Sequence, residues 1–303
     1  MIPQFPRFKK LELLDKEEIE RFTRKFPPYS DFNFVSLYSW NTEVETEIST
    51  LNQNLVVKFQ NYTSDDIFYS FIGNTDVIKT SKTLLDHAER EGILTELLLI
   101  PEHTVKNEKK IHDRFLVRDD RDNFDYIYSI NDLVQLRGKN YYNKANHLRN
   151  FYRHHPNCTV ETIDITKRSI GQQIIEVFFT WEKGKNKNRQ DTQRELKALE
   201  RLISNAADFN LVGIGIYLNN RLIGFAIGEI EHNNYATFHF LKGDPVYKEI
   251  FVALYNQLAV NLQKKGIEYL NNEQDLGIEG LRQAKMEWRP VSFLKKYIIT
   301  NKK

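Results

Sequence analysis

The chain has 303 residues, of which 41% are hydrophobic and 28% are charged. This composition is typical of folded globular proteins, and the length allows one large or two ordinary domains. The formal net charge is only +2, which excludes a strong overall attraction to nucleic acid or to an anionic membrane and leaves only local basic patches. The single cysteine, Cys158, excludes a disulfide framework within the chain and is typical of a reducing compartment.

The amino terminus, MIPQFPRFKK, lacks the apolar core of a signal peptide. No stretch approaches the roughly 20 apolar residues that a transmembrane helix needs. We therefore expect a cytoplasmic protein, with peripheral contact to a membrane surface left open.

Two segments of the chain have the same order of predicted elements. The first begins at Leu51 with the strand LNQNLVVKFQ, followed by the strand FYSFIGN, the helix SKTLLDHAEREG that ends at Gly92, and the strand ILTELLLIPE. The second begins at Leu218 with LNNRLIGFAIGE, followed by ATFHFLKGD, the helix FVALYNQLAVNLQKKG that ends at Gly266, and IEYLNNEQD. Both helices have the expected stop signal, because glycine tolerates the left-handed backbone at a helix end.

A helical pattern that ends in tryptophan precedes each segment, at Trp40 and at Trp181. We interpret the repetition as an ancient duplication, although unrelated α/β segments share part of it. This order of strands and helix is the layout of acetyltransferase-like (GNAT) domains. The predicted fold class is α/β (α+β), with two tandem acyl-CoA N-acyltransferase (GNAT)-like domains, each a mixed, mostly antiparallel sheet flanked by helices. We place the amino-terminal domain at residues 1–130 and the carboxyl-terminal domain, with the candidate active cleft, at residues 131–303.

Two loops correspond to the position where a GNAT-like domain holds the phosphates of its acyl donor, at the start of the helix. They are Gly73–Thr75 and Lys242–Pro245, and each has a single glycine. Few glycines leave few exposed backbone N–H groups for a pyrophosphate, so coenzyme A is the weaker alternative for the donor.

The segment of residues 104–131 is dense in charge and includes the run DDRD at 119–122. We expect a solvated connection followed by a short strand, DYIYS. The glycine and the closing glutamate of an EF-hand loop are missing, so no metal site is predicted.

A basic and aromatic segment, LRGKNYYNKANHLRNFYRHHP, runs from Leu136 to Pro156. In a helix that starts near Tyr142, one apolar stripe can face the core while cations face outward. Lys144, His147 and Arg149 are candidates for binding the phosphates of tRNA, of a lipid headgroup or of a nucleotide. An ordinary amphipathic helix with a solvated basic face is the alternative.

Polar side chains cluster at the end of the last predicted strand. Asn271, Glu273 and Asp275 alternate along this strand, so they can project to one side at its carboxyl end, where ligands bind in open α/β sheets. Carboxylates there can bind a ligand ammonium group or accept a proton from a nucleophile. The following helical segment carries Lys285 and Arg289, which can neutralise a carboxylate or contact a phosphate.

These residues also have structural alternatives. Asp275 can cap the following helix, and Glu273 can pair with Lys285 without taking part in catalysis. His239, between two phenylalanines on a predicted strand, is a candidate substrate-binding residue, although a lone histidine on a strand is more often part of the core.

Three segments carry a resemblance to a known family: PPYSDFNFVSLYSWN at Pro27–Asn41, LRGKNYYNKANHLRNF at Leu136–Phe151, and NNEQDLGIEGLRQAKMEWRP at Asn271–Pro290. From Phe5 to Tyr297 the chain resembles the family named after the carboxyl-terminal domain of phosphatidylglycerol lysyltransferase. The run from Asp275 to Leu281 is similar to the lysyltransferase motif that begins Asn-Leu-Gly.

The resemblance implies a tandem GNAT-like fold shared with the Fem-type peptidoglycan aminoacyltransferases. It also implies aminoacyl-tRNA as co-substrate and an amine or hydroxyl acceptor, either a small molecule or a lipid headgroup. Under this hypothesis Glu273 or Asp275 binds the substrate ammonium group or acts as base, Lys285 and Arg289 stabilise charge, and the basic segment holds tRNA phosphates.

Two further hypotheses stay open: an acyl-CoA-dependent N-acyltransferase, and a non-catalytic ligand-binding protein that keeps the fold. We expect the working cleft in the second half, because the matching strand of the first half, LLLIPE, is mostly apolar.

Overall fold

The computed structural model of the chain describes residues 1–42, 45–61, 64, 66–106, 108–184 and 189–302. The chain divides into two compact units. The first unit comprises residues 1–126, 273–283 and 293–303, and the second comprises residues 127–272 and 284–292.

Helices and strands are interspersed along the chain. The helices are α1 (Lys16–Thr23), α2 (Phe34–Ser39), α3 (Val77–Glu91), α4 (Glu102–Lys106), α5 (Ile111–Arg114), α6 (Ile130–Gln135), α7 (Tyr142–His154), α8 (Arg168–Lys183), α9 (Arg189–Ser204), α10 (Ile250–Lys264) and α11 (Glu279–Met286). The strands are β1 (Lys9–Lys10), β2 (Glu47–Leu51), β3 (Asn54–Gln60), β4 (Ile67–Ile72), β5 (Leu97–Pro101), β6 (Phe115–Asp119), β7 (Asp125–Ser129), β8 (Thr159–Ile163), β9 (Leu211–Leu218), β10 (Arg221–Ile230), β11 (Tyr235–Gly243), β12 (Tyr269–Asn271), β13 (Ser292–Leu294) and β14 (Lys296–Asn301).

The first unit is built on a sheet whose seven described strands have the order β1-β2-β3-β4-β5-β14-β6. Only β4 and β5 run parallel among the described pairs, and α3 connects them. Leu84 and Leu85 of α3 pack with Phe71, Ile100 and Ile299 of the sheet in one buried cluster. Burial of each such side chain stabilises the fold by about 1.5–3 kcal/mol.

The second unit repeats this arrangement in the order β13-β7-β12-β11-β10-β9-β8, counted over the described strands. Here β11 and β12 are the parallel pair, and α10 connects them. Gly92 and Gly266, which follow α3 and α10, have φ angles of +67° and +80°, as the predicted helix stops require. The two mixed, mostly antiparallel sheets flanked by helices confirm the predicted fold class.

The parallel pairing in the second unit is short. β11 and β12 are in register from Tyr235–Tyr269 to Thr237–Asn271, whereas β11 continues to Gly243. In the first unit β4 and β5 share the single registered pair Tyr69–Leu97. In both sheets the parallel pairing between the central strands is therefore short.

Each sheet also contains a strand from the distant part of the chain. β14, at the carboxyl terminus, lies between β5 and β6 in the first sheet, and β7, from the first half, lies beside β12 in the second. The units consequently differ from the predicted domains 1–130 and 131–303, because residues 273–283 and 293–303 belong to the first unit. Hydrophobic patterning cannot reveal this, since it identifies a strand but not its partner.

The charged connection of residues 104–131 differs from the predicted solvated segment. The strand DYIYS is confirmed as β7, but Asp120 is 6% exposed and Asp125 is fully buried. Asp120 contacts the backbone N–H of Leu99 at 3.4 Å and accepts a hydrogen bond from the side chain of Asn123 at 2.9 Å.

A buried ion network holds the carboxyl-terminal strand in the first unit. The ammonium of Lys296 is fully buried and lies 2.7 Å from Oδ1 of Asp125, and it also pairs with Asp31. Ser30 donates to the Asp125 carboxylate through its backbone N–H at 2.8 Å and its hydroxyl at 2.6 Å. Burial alone would lower the pKa of Lys296, but Asp125 and Asp31 raise it overall. Burial raises the pKa of Asp31 to about 6 despite the lysine.

We predict that Lys296→Met lowers the free energy of unfolding by about 3 kcal/mol, because it leaves two buried carboxylates without their cation. Urea unfolding at pH 7 measures the loss. Lys295→Met, the same change at the exposed neighbouring residue, is the control and should cost less than about 0.5 kcal/mol. Equal losses in the two variants would contradict the assigned role of the network.

Candidate functional site

Asp275 is the centre of a polar cluster in the first unit, and its side chain is fully buried. Tyr126 donates its hydroxyl to Asp275 at 2.5 Å, and Arg282 donates to both carboxylate oxygens at 3.0 and 2.7 Å. Arg121 and the backbone N–H of Gly277 add donors at 3.2 and 2.9 Å. Five donors thus stabilise the ionised carboxylate.

The pKa of Asp275 reflects two opposing effects. Burial raises it, but the hydrogen bonds from Arg282, Tyr126 and Gly277 outweigh burial and hold it below its ordinary value. The pKa of Arg282 is raised in turn by Asp275 and by Asp122, which accepts a second bond from the guanidinium at 2.6 Å. This arrangement fixes a charged Asp275 and makes it a weak proton acceptor at neutral pH.

The guanidinium of Arg121 lies among aromatic rings. Its central carbon is 5.6 Å from the ring of Phe124, 5.5 Å from Tyr126 and 5.1 Å from Phe293. These contacts hold the planar cation in one orientation. Both arginines keep about a third of their side-chain surface exposed, 37% for Arg121 and 35% for Arg282.

Glu273 lies where the chain turns away from the last strand of the repeat. Its φ angle is +54°, and Leu276 and Gly277 follow at +55° and +72°. The backbone carbonyl of Glu273 accepts from the N–H of Tyr126 at 3.1 Å. The half-buried carboxylate accepts a hydrogen bond from the hydroxyl of Ser36 at 3.3 Å.

The predicted alternation along the strand is wrong beyond Asn271. β12 ends at that residue, and the left-handed backbone at Glu273 breaks the two-residue alternation of side chains. Positive φ at a residue other than glycine is uncommon and costs about 1–3 kcal/mol. Other described turns of the chain also contain residues with positive φ, for example Asn219 and Asn233, so the backbone conformation alone does not assign a role to this turn.

The other predicted residues of this segment belong to the second unit. Asn271 is fully buried and pairs with Ile127 between β12 and β7. Lys285 is 9% exposed, and its ammonium donates to the backbone carbonyl of Asn272. The carbonyl of Lys285 accepts the hydroxyl of Tyr128 at 2.7 Å. Arg289 is exposed and has a φ angle of +56°.

His239 lies in the interior of the second sheet. Its side chain is 1% exposed, and Nε2 is 3.3 Å from a carboxylate oxygen of Glu229. This placement favours the core interpretation over substrate binding.

The basic segment forms α7, and its cations differ in accessibility. Lys144 pairs with Glu287 at 2.9 Å and lies 4.9 Å from the ring centre of Trp288. His147 is 3.7 Å from Glu249. Arg149 is exposed and donates a hydrogen bond to the side chain of Asn146 on the same helix. The segment therefore offers exposed arginines, while Lys144 is occupied by a local carboxylate and a ring.

Several residues of these clusters were not predicted from the sequence: Ser30, Asp31, Arg121, Asp125, Tyr126, Arg282 and Lys296. The one available signal was the unusual charge density of DDRD at 119–122. The residue type of an aspartate does not show whether its side chain is buried, so only the structure could identify these residues.

Two absences hold for the part of the chain that the structure describes. No group of three or more His, Cys, Asp or Glu side chains there could hold a metal ion. No helix among the same residues is long and apolar enough to cross a bilayer.

We predict that Asp275→Asn lowers the free energy of unfolding by about 2–3 kcal/mol at pH 7, because charge-assisted hydrogen bonds are lost. The folded-state pKa of Asp275 is depressed, so its contribution is present above the ordinary value of 3.8 and is lost as the pH falls further. The difference between wild type and variant should therefore shrink between pH 5 and pH 3 in urea unfolding. Asp119→Asn, at an exposed carboxylate, is the matched control; a pH-independent difference for Asp275→Asn would refute the account.

Comparison with known proteins identifies relatives of the whole chain. The model of the family described as "Phosphatidylglycerol lysyltransferase, C-terminal" matches residues 23–300. No curated protein matches the chain in sequence.

Solved structures of similar fold cover nearly the whole chain. A conserved protein of unknown function from Bacteroides thetaiotaomicron VPI-5482 is 28% identical, with 100% of each chain covered and a TM-score of 0.85. The C-terminal domain (DUF2156) of a candidate lysylphosphatidylglycerol synthetase from Agrobacterium fabrum is 12% identical, with 96% of this chain and 92% of that chain covered and a TM-score of 0.66. L-PGS from Bacillus licheniformis is 13% identical, with coverage of 100% and 94% and a TM-score of 0.63. The last two similarities concern the fold.

Proposed function

The chain belongs to the family of phosphatidylglycerol lysyltransferase C-terminal domains, and from this premise we propose that it transfers an aminoacyl group from aminoacyl-tRNA to an amine or hydroxyl acceptor. Family and fold indicate an acyltransferase of this type. The proposal goes beyond family and fold in three respects: the tRNA donor, the acceptor and the roles of the residues. The acceptor is a lipid headgroup or a small molecule.

The proposed reaction needs little from the protein beyond orientation and proton transfer. The acceptor oxygen or nitrogen attacks the carbonyl carbon of the aminoacyl ester, and the carbonyl oxygen becomes negative in the tetrahedral intermediate. The carbon–oxygen bond to the terminal ribose then breaks, and the ribose oxygen takes the proton that the acceptor lost. Positioning and charge stabilisation suffice because the ester is already activated.

Glu273 supports this proposal most directly. Its half-buried carboxylate lies in a strained, left-handed turn and accepts a hydrogen bond from a neutral hydroxyl, that of Ser36, at 3.3 Å. We assign Glu273 to the ammonium group of the aminoacyl donor or to the proton of the acceptor. Either task needs an ionised carboxylate near the surface of the fold.

Asp275 has a different proposed role. Its buried carboxylate is saturated by five donors, so it is a positioning residue that orients Arg121 and Arg282. These partly exposed arginines then provide positive charge for an anionic group of the substrate. Lys285 and Arg289 stay predictions for stabilising the developing oxyanion, with Asn271 as a hydrogen-bonding residue of the same segment.

The exposed cations of α7 are proposed to hold tRNA phosphates. Arg149 and Arg153 are exposed and lie four residues apart on the helix, so they project from neighbouring turns. They donate hydrogen bonds to the neutral side chains of Asn146 and Asn150. Such guanidinium groups can bind phosphate without breaking an ion pair.

We predict that Glu273→Gln lowers aminoacyl transfer at least 100-fold while leaving the free energy of unfolding within about 1 kcal/mol of wild type. The loss follows from removal of a carboxylate that acts in proton transfer or ammonium binding. Transfer is measured with tRNA charged with labelled amino acids, using phosphatidylglycerol vesicles or a primary amine as acceptor. Glu279→Gln, at an exposed carboxylate of α11, is the control and should retain activity. Full activity of Glu273→Gln would remove this residue from the mechanism.

We predict that tRNA binding weakens steeply with salt, because each neutralised phosphate releases condensed counterions. The double variant Arg149→Ala, Arg153→Ala should lower the magnitude of the slope of log K against log salt by about 1–2. Arg90→Ala, at an exposed arginine of α3, should leave the slope unchanged. Salt-independent binding by the wild type would argue against a tRNA donor.

A further inference from the structure

The first unit contains a cavity of about 660 Å³ that is separate from the residues proposed for aminoacyl transfer. The turn between β2 and β3, the loop that follows β4, the end of α1 and the amino-terminal segment form its walls. Its volume is within the range of 300–1,000 Å³ typical of small-molecule sites. The mostly apolar strand LLLIPE predicted a working cleft in the second half, whereas this cavity lies in the first unit and is lined in part by Gly73–Thr75, the loop that corresponds to the donor-phosphate position of a GNAT-like domain.

One wall of the cavity is fixed by Asn54, which is fully buried. Its side-chain oxygen accepts the backbone N–H of Thr75 at 3.1 Å, and its side-chain nitrogen donates to the Thr75 carbonyl at 2.8 Å. Gly73 has a φ angle of +153°, and a Cβ there would lie 2.0 Å from the Asn54 oxygen. Only glycine fits this close approach, so the loop at residues 73–75 is held in one conformation.

The charged part of the cavity lining is positive. Lys25 is its only charged lining residue, and no carboxylate lines the cavity within the described part of the chain. The ammonium of Lys25 is 5.9 Å from the ring centre of Phe22 and makes no ion pair with a described residue. A ligand with an ammonium group would find no counter-charge here, whereas a ligand with one anionic group would.

The remaining lining is divided between rings and amides. Phe5, Phe22 and Phe26 line the cavity; Phe26 is only 6% exposed, so the partly exposed rings of Phe5 and Phe22 supply the apolar surface against which an aromatic ligand can pack. Gln4 and Gln53 line the same space, and each of these side chains can both donate and accept hydrogen bonds. The combination suits a flat ring that carries hydrogen-bonding groups.

We propose that this cavity is a second ligand site that binds an aromatic or heteroaromatic compound with a single anionic group, of the nucleoside monophosphate class. The ring of the ligand packs against the phenylalanines, and its polar groups form hydrogen bonds with the side-chain amides of Gln4 and Gln53. Its anionic group pairs with the ammonium of Lys25. The site is independent of the proposed aminoacyl transfer, because Lys25 and the phenylalanines play no part in that reaction.

Isothermal titration calorimetry with AMP tests the proposal on the full chain. We expect saturable binding at one site, weakened about tenfold by Lys25→Ala and abolished by Lys25→Glu. Adenosine, which lacks the phosphate, should bind weakly and equally to wild type and Lys25→Ala. Lys109→Ala removes an exposed lysine outside the cavity and should bind AMP as the wild type does.

Three results would overturn the proposal: no binding of AMP to the wild type at millimolar concentration, equal affinity of the wild type and Lys25→Glu, or a loss of affinity in Lys109→Ala as large as in Lys25→Ala. Thermal unfolding of each variant without ligand shows that it is folded. Preserved aminoacyl transfer in Lys25→Ala separates this site from the transfer reaction.

Discussion

The ion network of Lys296, Asp31 and Asp125 is the constraint on which the first unit depends. One buried ammonium faces two buried carboxylates, and removing charges from water is so costly that they must remain together. Lys296 begins β14, and Asp125 begins β7, one residue before the chain leaves the first unit. The network therefore holds the first residue of β14 in the first unit. It also holds the first residue of β7, next to the point where the chain passes from the first unit to the second.

Because β14 is held in this way, the sheet of the first unit is complete only when the last residues of the chain have folded onto it. The same unit also contains residues 273–283, and with them Glu273 and Asp275. Asp275 meets Arg121 and Tyr126 from the charged connection. The polar cluster proposed for function thus consists of residues that are distant in sequence. They reach hydrogen-bonding distance only in the folded chain.

The two carboxylates of this turn lie in different environments, and their different proposed roles rest on that difference. Asp275 is saturated by charged and neutral donors, which keep it ionised and immobile. Glu273 is half-buried, and its carboxylate meets the Ser36 hydroxyl. A carboxylate that several fixed donors already surround organises its neighbours, whereas one at a strained, partly open position can meet a substrate. The cavity beside Lys25 differs from both, since it combines a cation with rings and contains no carboxylate among its described lining residues.

The sequence by itself determined the elements and their repetition. Hydrophobic periodicity located α3 and α10, and Gly92 and Gly266 marked their ends, because these signals are local and act within a few residues. It also placed the candidate segment at residues 271–289, through a concentration of polar side chains after a buried strand. Family membership was predicted from three segments and is confirmed by the match over residues 23–300.

Only the tertiary structure decided which strands share a sheet and which charges are buried. The alternation predicted through Asp275 ended at Asn271, because a positive φ at Glu273 depends on contacts that local pattern does not encode. Lys296 and Asp125 lie 171 residues apart in sequence, and nothing in either neighbourhood identifies them as partners. Burial and ion pairing are properties of the folded chain as a whole, and for this reason the candidate segment could be identified from the sequence but the buried ion network could not.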